Sequence, residues 1–401
     1  MLSLGLPKII VIVIFSLSIL SNSTFYDYLT SALGQPFIQT VKNRDLVIDL
    51  GNGIQTNAQL TIPAVGNGPF PSVLLVPGSG AIDMNETLAP NTKPFWQIAQ
   101  YLSERGFVVL RYDKRGVGAN SQIIDTNVWG NVTFGNLKHD AETALKVLTQ
   151  QPEVDKNKIS LIGHSEGTSI APRIGIEQEN MTNATTIKNI VLMGSAATTM
   201  ADLAYYQKVG IVLEYMHQML DKNGTGSISV EQAIQDPLVG RFVVANFGND
   251  TTTTSSIDID RQVKPLLEKE LEKFTKEADG NARCDNPEGC PIWFNSAVDL
   301  EPNLSVIGNL SKSTSVLMLN GENDPLTPVQ QSFLLHQRLT EVDHPDHTLI
   351  TYPGLGHTFA ISPQWSTGLG PIEQNVLSDL SRWLSDRTHG LRGILSDNFL
   401  E

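Results

Sequence analysis

Short apolar runs alternate with amphipathic, helix-periodic stretches along most of this chain, and that order constrains the fold more than any other feature. It calls for an α/β architecture, a mostly parallel, doubly wound sheet with helices on both faces. Eight runs read as strands. They are DLVIDL from Asp45, AQLTIPA from Ala58, Pro71 to Pro77, Phe107 to Asp113, Lys158 to His164, Ile187 to Gly194, Thr314 to Asn320 and His347 to Tyr352. The first two read as a pair, whereas the central runs are apolar throughout, as strands covered on both faces must be. Between them, Phe95, Ile98 and Leu102 recur at helical spacing before a stop at Gly106. Leu137, Ala141, Ala144, Leu145 and Leu148 form a second stripe, and Ile372, Val376, Leu377, Leu380, Trp383 and Leu384 a third.

The alternation stops between about Ala196 and Leu310, where the chain is helical, polar and Thr-rich over a length too great for a simple loop. This segment reads as an inserted, mainly helical cap, residues 197–310, dividing a core made of residues 24–196 and 311–401. A length of 401 residues suits one large domain with such an insertion, and 40% hydrophobic against 17% charged residues excludes wholesale disorder. The formal net charge of −14 repels phosphate backbones, so a nucleic-acid partner is not expected.

Lys8 precedes an uncharged run from Ile9 to Leu20, followed by the small residues Ser21, Asn22 and Ser23. Residues 1–23 therefore read as an export signal, either cleaved or retained as a membrane attachment through residues 2–20, with a buried core strand as the alternative. An extracellular or cell-surface location agrees with Asn-x-Ser/Thr sequons at Asn85, Asn131, Asn180, Asn183, Asn303 and Asn309. The two cysteines, Cys284 and Cys290, are too few for a zinc site and read as either a small disulfide loop or two free thiols.

The chemistry-bearing motif is Gly163-His164-Ser165-Glu166-Gly167, set between the apolar strand SLI and the helix-like SIAPRIGIEQ. There a tight turn lifts Ser165 to the carboxyl end of the strand, and the flanking glycines remove Cβ atoms that would clash. A serine hydroxyl needs a histidine base and a carboxylate to orient it. Asp324, after the strand SVLMLN, and His357, after the strand TLITY, each follow a strand's carboxyl end and so share an edge with Ser165. Glu322 is the rival to Asp324. His164 points away from Ser165, His344 and His347 lie at the opposite edge, and His139, His217, His336 and His389 fall elsewhere. Asp113 and Arg115 read as a structural turn with its ion pair, while Glu166 faces a substrate amine, solvent or an arginine.

These residues resemble the α/β-hydrolase superfamily. GHSEG, GENDPLTP and GLGH are similar to its nucleophile, acid and histidine elements in the right order. Val76-Pro77-Gly78-Ser79-Gly80 looks like its oxyanion loop, and Arg111 to Gly118 like its D-x-R-G-x-G loop. The likeness covers about residues 45 to 196 and 314 to 388. It is greatest to the dienelactone-hydrolase-like and serine-aminopeptidase-like (S33/S9-type) members with an inserted cap. By this resemblance the oxyanion donors are the backbone N–H groups of Ser79 and Glu166.

Inside the cap, Asp221 to Gln232 resembles an EF-hand loop, with Asp221, Asn223, Thr225 and Ser227 as tentative calcium ligands and Gly226 at the sharp turn. Gln232 replaces the bidentate glutamate, so calcium would be weakly held. No phosphate-cradling loop and no HExxH helix is present, and no cofactor is required for the chemistry. The expectation is an exported serine hydrolase of carboxylic esters, amides being the extension, acting on a small-molecule ester or short peptide. Its alternatives are a serine exopeptidase and a noncatalytic, calcium-dependent surface-binding protein. Trp293 and Phe294 are candidate apolar lining of the substrate cleft or cap-core residues.

Overall fold

A computed structural model describes residues 40–181, 185–248, 256–277 and 291–388. Residues 1–23, read from the sequence as an export signal, Asn183, His389 and the pair Cys284 and Cys290 lie outside the described residues.

The unit that begins at Val41 is built on one eight-stranded sheet. Its strands are β1 (Val41–Asp49), β2 (Gln55–Pro63), β3 (Phe70–Val76), β4 (Val108–Tyr112), β5 (Val154–His164), β6 (Ile187–Met193), β7 (Ser315–Gly321) and β8 (His347–Tyr352). Their spatial order is β1-β2-β4-β3-β5-β6-β7-β8. β1, β2 and β4 pair antiparallel, and every pairing from β4 through β8 is parallel. The eight runs read as strands thus form the eight strands. α1 (Pro94–Ser103), α2 (Phe134–Thr149), α3 (Gly167–Glu179), α4 (Val329–Glu341) and α5 (Gln374–Thr388) flank them.

Register explains why the central runs are apolar at consecutive positions. Leu60, Leu110, Leu74, Leu161, Ile190 and Val316 stand side by side across six strands, all fully buried in one core layer with the apolar stripe of α2. Their chain neighbours Val73, Val109, Ile162, Val191 and Leu317 point to the other face and pack with α1 and α5. Each residue therefore serves one of two cores.

Between β6 and β7 the chain runs through Met200–Tyr205, Tyr206–Gly210, Ile211–Tyr215 and Met216–Leu220, α-helical turns interrupted twice by π-helical ones. This stretch has its own apolar cluster, including Val209, Met216, Ile228, Val243, Ile257, Ile259 and Val263. The sequence shows no strand pattern here, yet Ser227–Ser229 pairs antiparallel with Ser256–Asp258, Ile228 opposite Ile257. Three-residue strands with one buried side chain each are too short for alternation to register. The segment after β8 reaches the same cluster, where Trp365 (φ 71°) sits edge-on to Tyr215 with ring centroids 5.7 Å apart. Among the described residues no helix is long and apolar enough to cross a membrane.

Leu74 touches leucines on both neighbouring strands in the row just described. Leu74→Ala should lower unfolding stability by about 2–5 kcal/mol. Urea denaturation monitored by tryptophan fluorescence measures it, and a loss under 1 kcal/mol would contradict the packing described.

Candidate active site

Three backbones approach too closely for side chains where β5 turns into α3. A Cβ on Gly163 would lie 2.2 Å from the Gly167 carbonyl oxygen, and one on Gly167 would lie 2.1 Å from that of Val76. Between them Ser165 takes φ 51°, a left-handed conformation that costs a non-glycine residue on the order of 1 kcal/mol or more. Its N–H donates to the Met193 carbonyl at 2.9 Å, which holds the turn against the end of β6.

The ends of β7 and β8 are tied together next to it. The Glu322 N–H donates to the Tyr352 carbonyl and the Asn323 N–H to that of Leu355, both at 3.0 Å. Asp324 Oδ2 then lies 2.8 Å from His357 Nδ1, with both residues buried. The Asp324 carboxylate also accepts the N–H groups of Leu326 and Thr327 and the Thr327 hydroxyl. Burial pushes this carboxyl up, but His357 and the Thr327 donors hold it below the usual range, so it stays ionised. With Nδ1 donating to Asp324, Nε2 carries the lone pair, a tautomer assigned from these contacts. Thr327, part of the GENDPLTP run but given no role from sequence, touches both partners, its Oγ1 lying 3.2 Å from His357 Nδ1.

Gly194, directly after Met193, packs against the edge of the His357 ring: a Cβ there would lie 3.2 Å from Cε1. Ser165 and His357 thus abut consecutive residues, Met193 and Gly194, although Ser165 Oγ makes no hydrogen bond to His357. Contacts of this kind tighten when a substrate binds. The rival carboxylate Glu322 is exposed and accepts from the Thr351 hydroxyl, away from His357.

Neither proposed oxyanion donor is in use. The backbone N–H groups of exposed Ser79 and of Glu166, which caps α3, have no partner among the described residues. Gly78 stands against Ser165, since a Cβ on it would lie 3.3 Å from Ser165 Cβ.

Two buried ion pairs that sequence reasoning missed support this corner. His164 Nδ1 lies 2.9 Å from Glu86 Oε1 and its Nε2 lies 3.0 Å from the His357 carbonyl oxygen. Both ring nitrogens face acceptors, so the imidazole carries two protons; burial opposes the charge, but Glu86 raises the His164 pKa overall. Burial likewise pushes Glu86 up, and His164 with the Gly78 N–H brings it below its ordinary value. The second pair is Lys114 with Glu166, Nζ to Oε1 at 3.0 Å. The Glu166 side chain therefore meets a lysine, not solvent, an arginine or an open substrate subsite. Neither Glu86 nor Lys114 carries a sequence signal, because the pairings span 78 and 52 positions.

Other expectations need correction. Arg115 pairs with Asp140 of α2 and not with Asp113, whose carboxylate accepts the Met84 N–H at 2.7 Å. Burial, with Asp83 beside it, pushes Asp113 up to about 6. Phe294 is buried edge-on to Phe274 and does not line a cleft, while Trp293 packs half-buried on the main core. In the EF-hand-like loop, Asp221 spends one oxygen on the Thr225 N–H and the other on the Gly226 N–H. Asn223, Thr225 and Ser227 add only neutral oxygens, and Ser227 is drawn into the short strand pair. No group of three His, Cys, Asp or Glu side chains suited to a metal occurs among the described residues. One engaged carboxylate with neutral oxygens does not fit a firmly held calcium ion.

Residues 90–257 match the family described as serine aminopeptidase, S33, and residues 276–367 match that described as TAP-like protein. The chain belongs to the α/β-hydrolase superfamily. This α/β-hydrolase is similar to the esterase EstD of Thermotoga maritima, 37% identical over 136 residues, which are 34% of this chain and 30% of that one. It is 28% identical over 132 residues to the esterase FrsA of Yersinia pestis, covering 33% and 28% of the two chains. The match thus spans less than a third of these curated relatives. The acylaminoacyl peptidase of Pyrococcus horikoshii shares the fold, with a TM-score of 0.50 at 10% identity over 90% of this chain and 44% of that one.

The pair behind the histidine sets a pH signature. Glu86, lowered, adds stability above its unfolded pKa, lost as pH falls through the folded one; His164, raised, adds stability below its unfolded pKa, lost as pH rises through the folded one. The stability gap between the parent and Glu86→Gln should be widest between those two pKa values, about 3 kcal/mol, and narrow on either side. Urea melts at stepped pH check this; a gap flat with pH would contradict it.

Proposed function

We propose that this α/β-hydrolase is an exported serine hydrolase that cleaves carboxylic esters through an acyl-enzyme on Ser165. The observation that carries the reading is the buried Asp324–His357 hydrogen bond, set against a positive-φ serine at the carboxyl edge of the sheet. His357 Nε2 takes the Ser165 proton as Oγ bonds to the ester carbon, and the carbonyl oxygen becomes an oxyanion facing the N–H groups of Ser79 and Glu166. The C–O bond to the leaving alcohol breaks as His357 returns that proton to it. Water then bonds to the acyl carbon as His357 takes its proton, and the C–Oγ bond breaks as His357 returns that proton to Ser165, releasing the acid. Asp324 fixes the tautomer and stabilises the imidazolium.

The esterase relatives support an ester substrate, and the apolar run from Ile9 to Leu20 supports export. An exopeptidase, the reading favoured by the S33 match, needs a carboxylate for the substrate's amino terminus. Glu166, the acidic residue nearest the nucleophile in sequence, is already held by Lys114.

Ser165→Ala should reduce p-nitrophenyl ester turnover by about six orders of magnitude, by analogy with a serine protease. A fluorophosphonate should label Ser165 alone, as read by peptide mapping. Equal turnover in parent and variant would refute the assignment, and faster cleavage of aminoacyl anilides than of esters would favour the exopeptidase. Weak calcium binding is a separate expectation: millimolar calcium should leave the thermal midpoint within about 2 °C, and a larger rise would show an occupied loop.

A further inference from the structure

We propose that Lys114 is a positioning residue for the oxyanion hole: it holds the Gly78 carbonyl so that the Ser79 N–H of the same peptide faces the oxygen of the substrate. The proposal rests on the acyl-enzyme reading above and adds to it the group that aims one of the two donors.

The argument starts with the Gly78–Ser79 peptide. Among the described residues the only cis peptide is Gly68–Pro69, so this bond is trans, and its C=O and N–H point in opposite directions. Whatever fixes the carbonyl therefore fixes the N–H. Lys114 Nζ donates to the Gly78 carbonyl oxygen at 2.5 Å, and the lysine is 2% exposed. On the other side of the glycine, its N–H donates to Glu86 Oε1 at 2.9 Å. Glycine alone would turn freely here, and no Cβ fits, because one would lie 2.9 Å from that carboxylate oxygen. Both backbone groups of Gly78 are thus gripped by charged side chains buried beside Ser165.

A purely structural ion pair leaves two observations unexplained. The Lys114 ammonium divides its donors between Glu166 and a backbone carbonyl, and Glu166 is the residue whose own N–H is the second oxyanion donor. One cation therefore touches the segments that bear both donors. Moreover Glu86 Oε2 is buried with no hydrogen-bond partner among the described residues, an incompleteness that stable cores avoid and functional sites tolerate. A buried, fixed donor array needs no reorganisation as charge develops, which is the condition under which such donors accelerate acyl transfer most.

The test compares the parent with Lys114→Met/Glu166→Gln, which removes the cation without stranding a buried carboxylate, and with Lys114→Arg, which keeps a cation but puts a broader head against the carbonyl. The readouts are kcat and KM for p-nitrophenyl butyrate, thermal midpoint, and affinity for a trifluoromethyl ketone of matching acyl chain. Ser165 adds to that ketone to give an oxyanion; the corresponding secondary alcohol, which cannot form one, measures ordinary binding. The double variant should lose about a hundredfold in kcat and a similar factor in ketone affinity, while KM and alcohol binding change by less than threefold. Lys114→Arg should lose about tenfold in the same two quantities and serves alone if the double variant does not fold. Parental kcat in a folded variant, or a fall in kcat without a matching fall in ketone affinity, would overturn the proposal. If Ser165→Ala equals the parent, the acyl-enzyme reading itself fails and takes the clamp with it; an active, Ser165-dependent parent with the first pattern of failure removes the clamp alone.

Discussion

Everything at this site depends on how closely backbone can approach backbone. At the crossing of β3, β5 and α3 the carbonyl groups of Val76 and Gly167 stand where side chains would otherwise be, and two glycines are the condition for that crossing. The close contact forces Ser165 into a left-handed conformation and at the same time brings Gly78 against its Cβ. The proposed nucleophile, the proposed oxyanion loop and the helix N-terminus are therefore one packing problem with one solution. The dipole of α3 and the free N–H of Glu166 then lie where negative charge would develop.

Burying so much charge beside that crossing requires compensation. Three carboxylates, Glu86, Glu166 and Asp324, are withdrawn from water within one corner of the molecule, and each meets a cation or an array of donors. An unpaired charge in such a place would cost several kcal/mol. Two of these pairings also grip backbone beside Ser165 and His357: Gly78 from both sides and the carbonyl of His357 from behind. Geometry and charge are set by the same side chains.

How much of this the sequence discloses follows from the range of each interaction. The inner strands are legible because burial on both faces leaves long apolar runs, whereas β1 and β8, mostly exposed or half-buried, show weaker ones. The order of Ser165, Asp324 and His357 was legible because each follows such a run directly. What stayed hidden are pairings set by tertiary proximity alone. His164 could be dismissed from sequence because its partners, Glu86 and the His357 carbonyl, sit 78 and 193 positions away. Arg115 was assigned the neighbour Asp113 on sequence proximity, whereas the fold hands it Asp140 on a helix. The short strands at Ser227 and Ser256 escaped because a single isoleucine in each has no period.

Trp365 gives the architecture a mechanical property. Eight residues after the histidine, its indole is lodged among the apolar side chains of the inserted segment, edge-on to Tyr215. The polypeptide between them is thus a short tether with the imidazole at one end and the interior of the inserted segment at the other. Lifting that interior away from the sheet must either pull the indole out, at about 2 kcal/mol for so large an apolar group, or tug on the segment that carries the imidazole. The loop that carries the imidazole and the inserted segment are, in this molecule, fastened to each other through one indole.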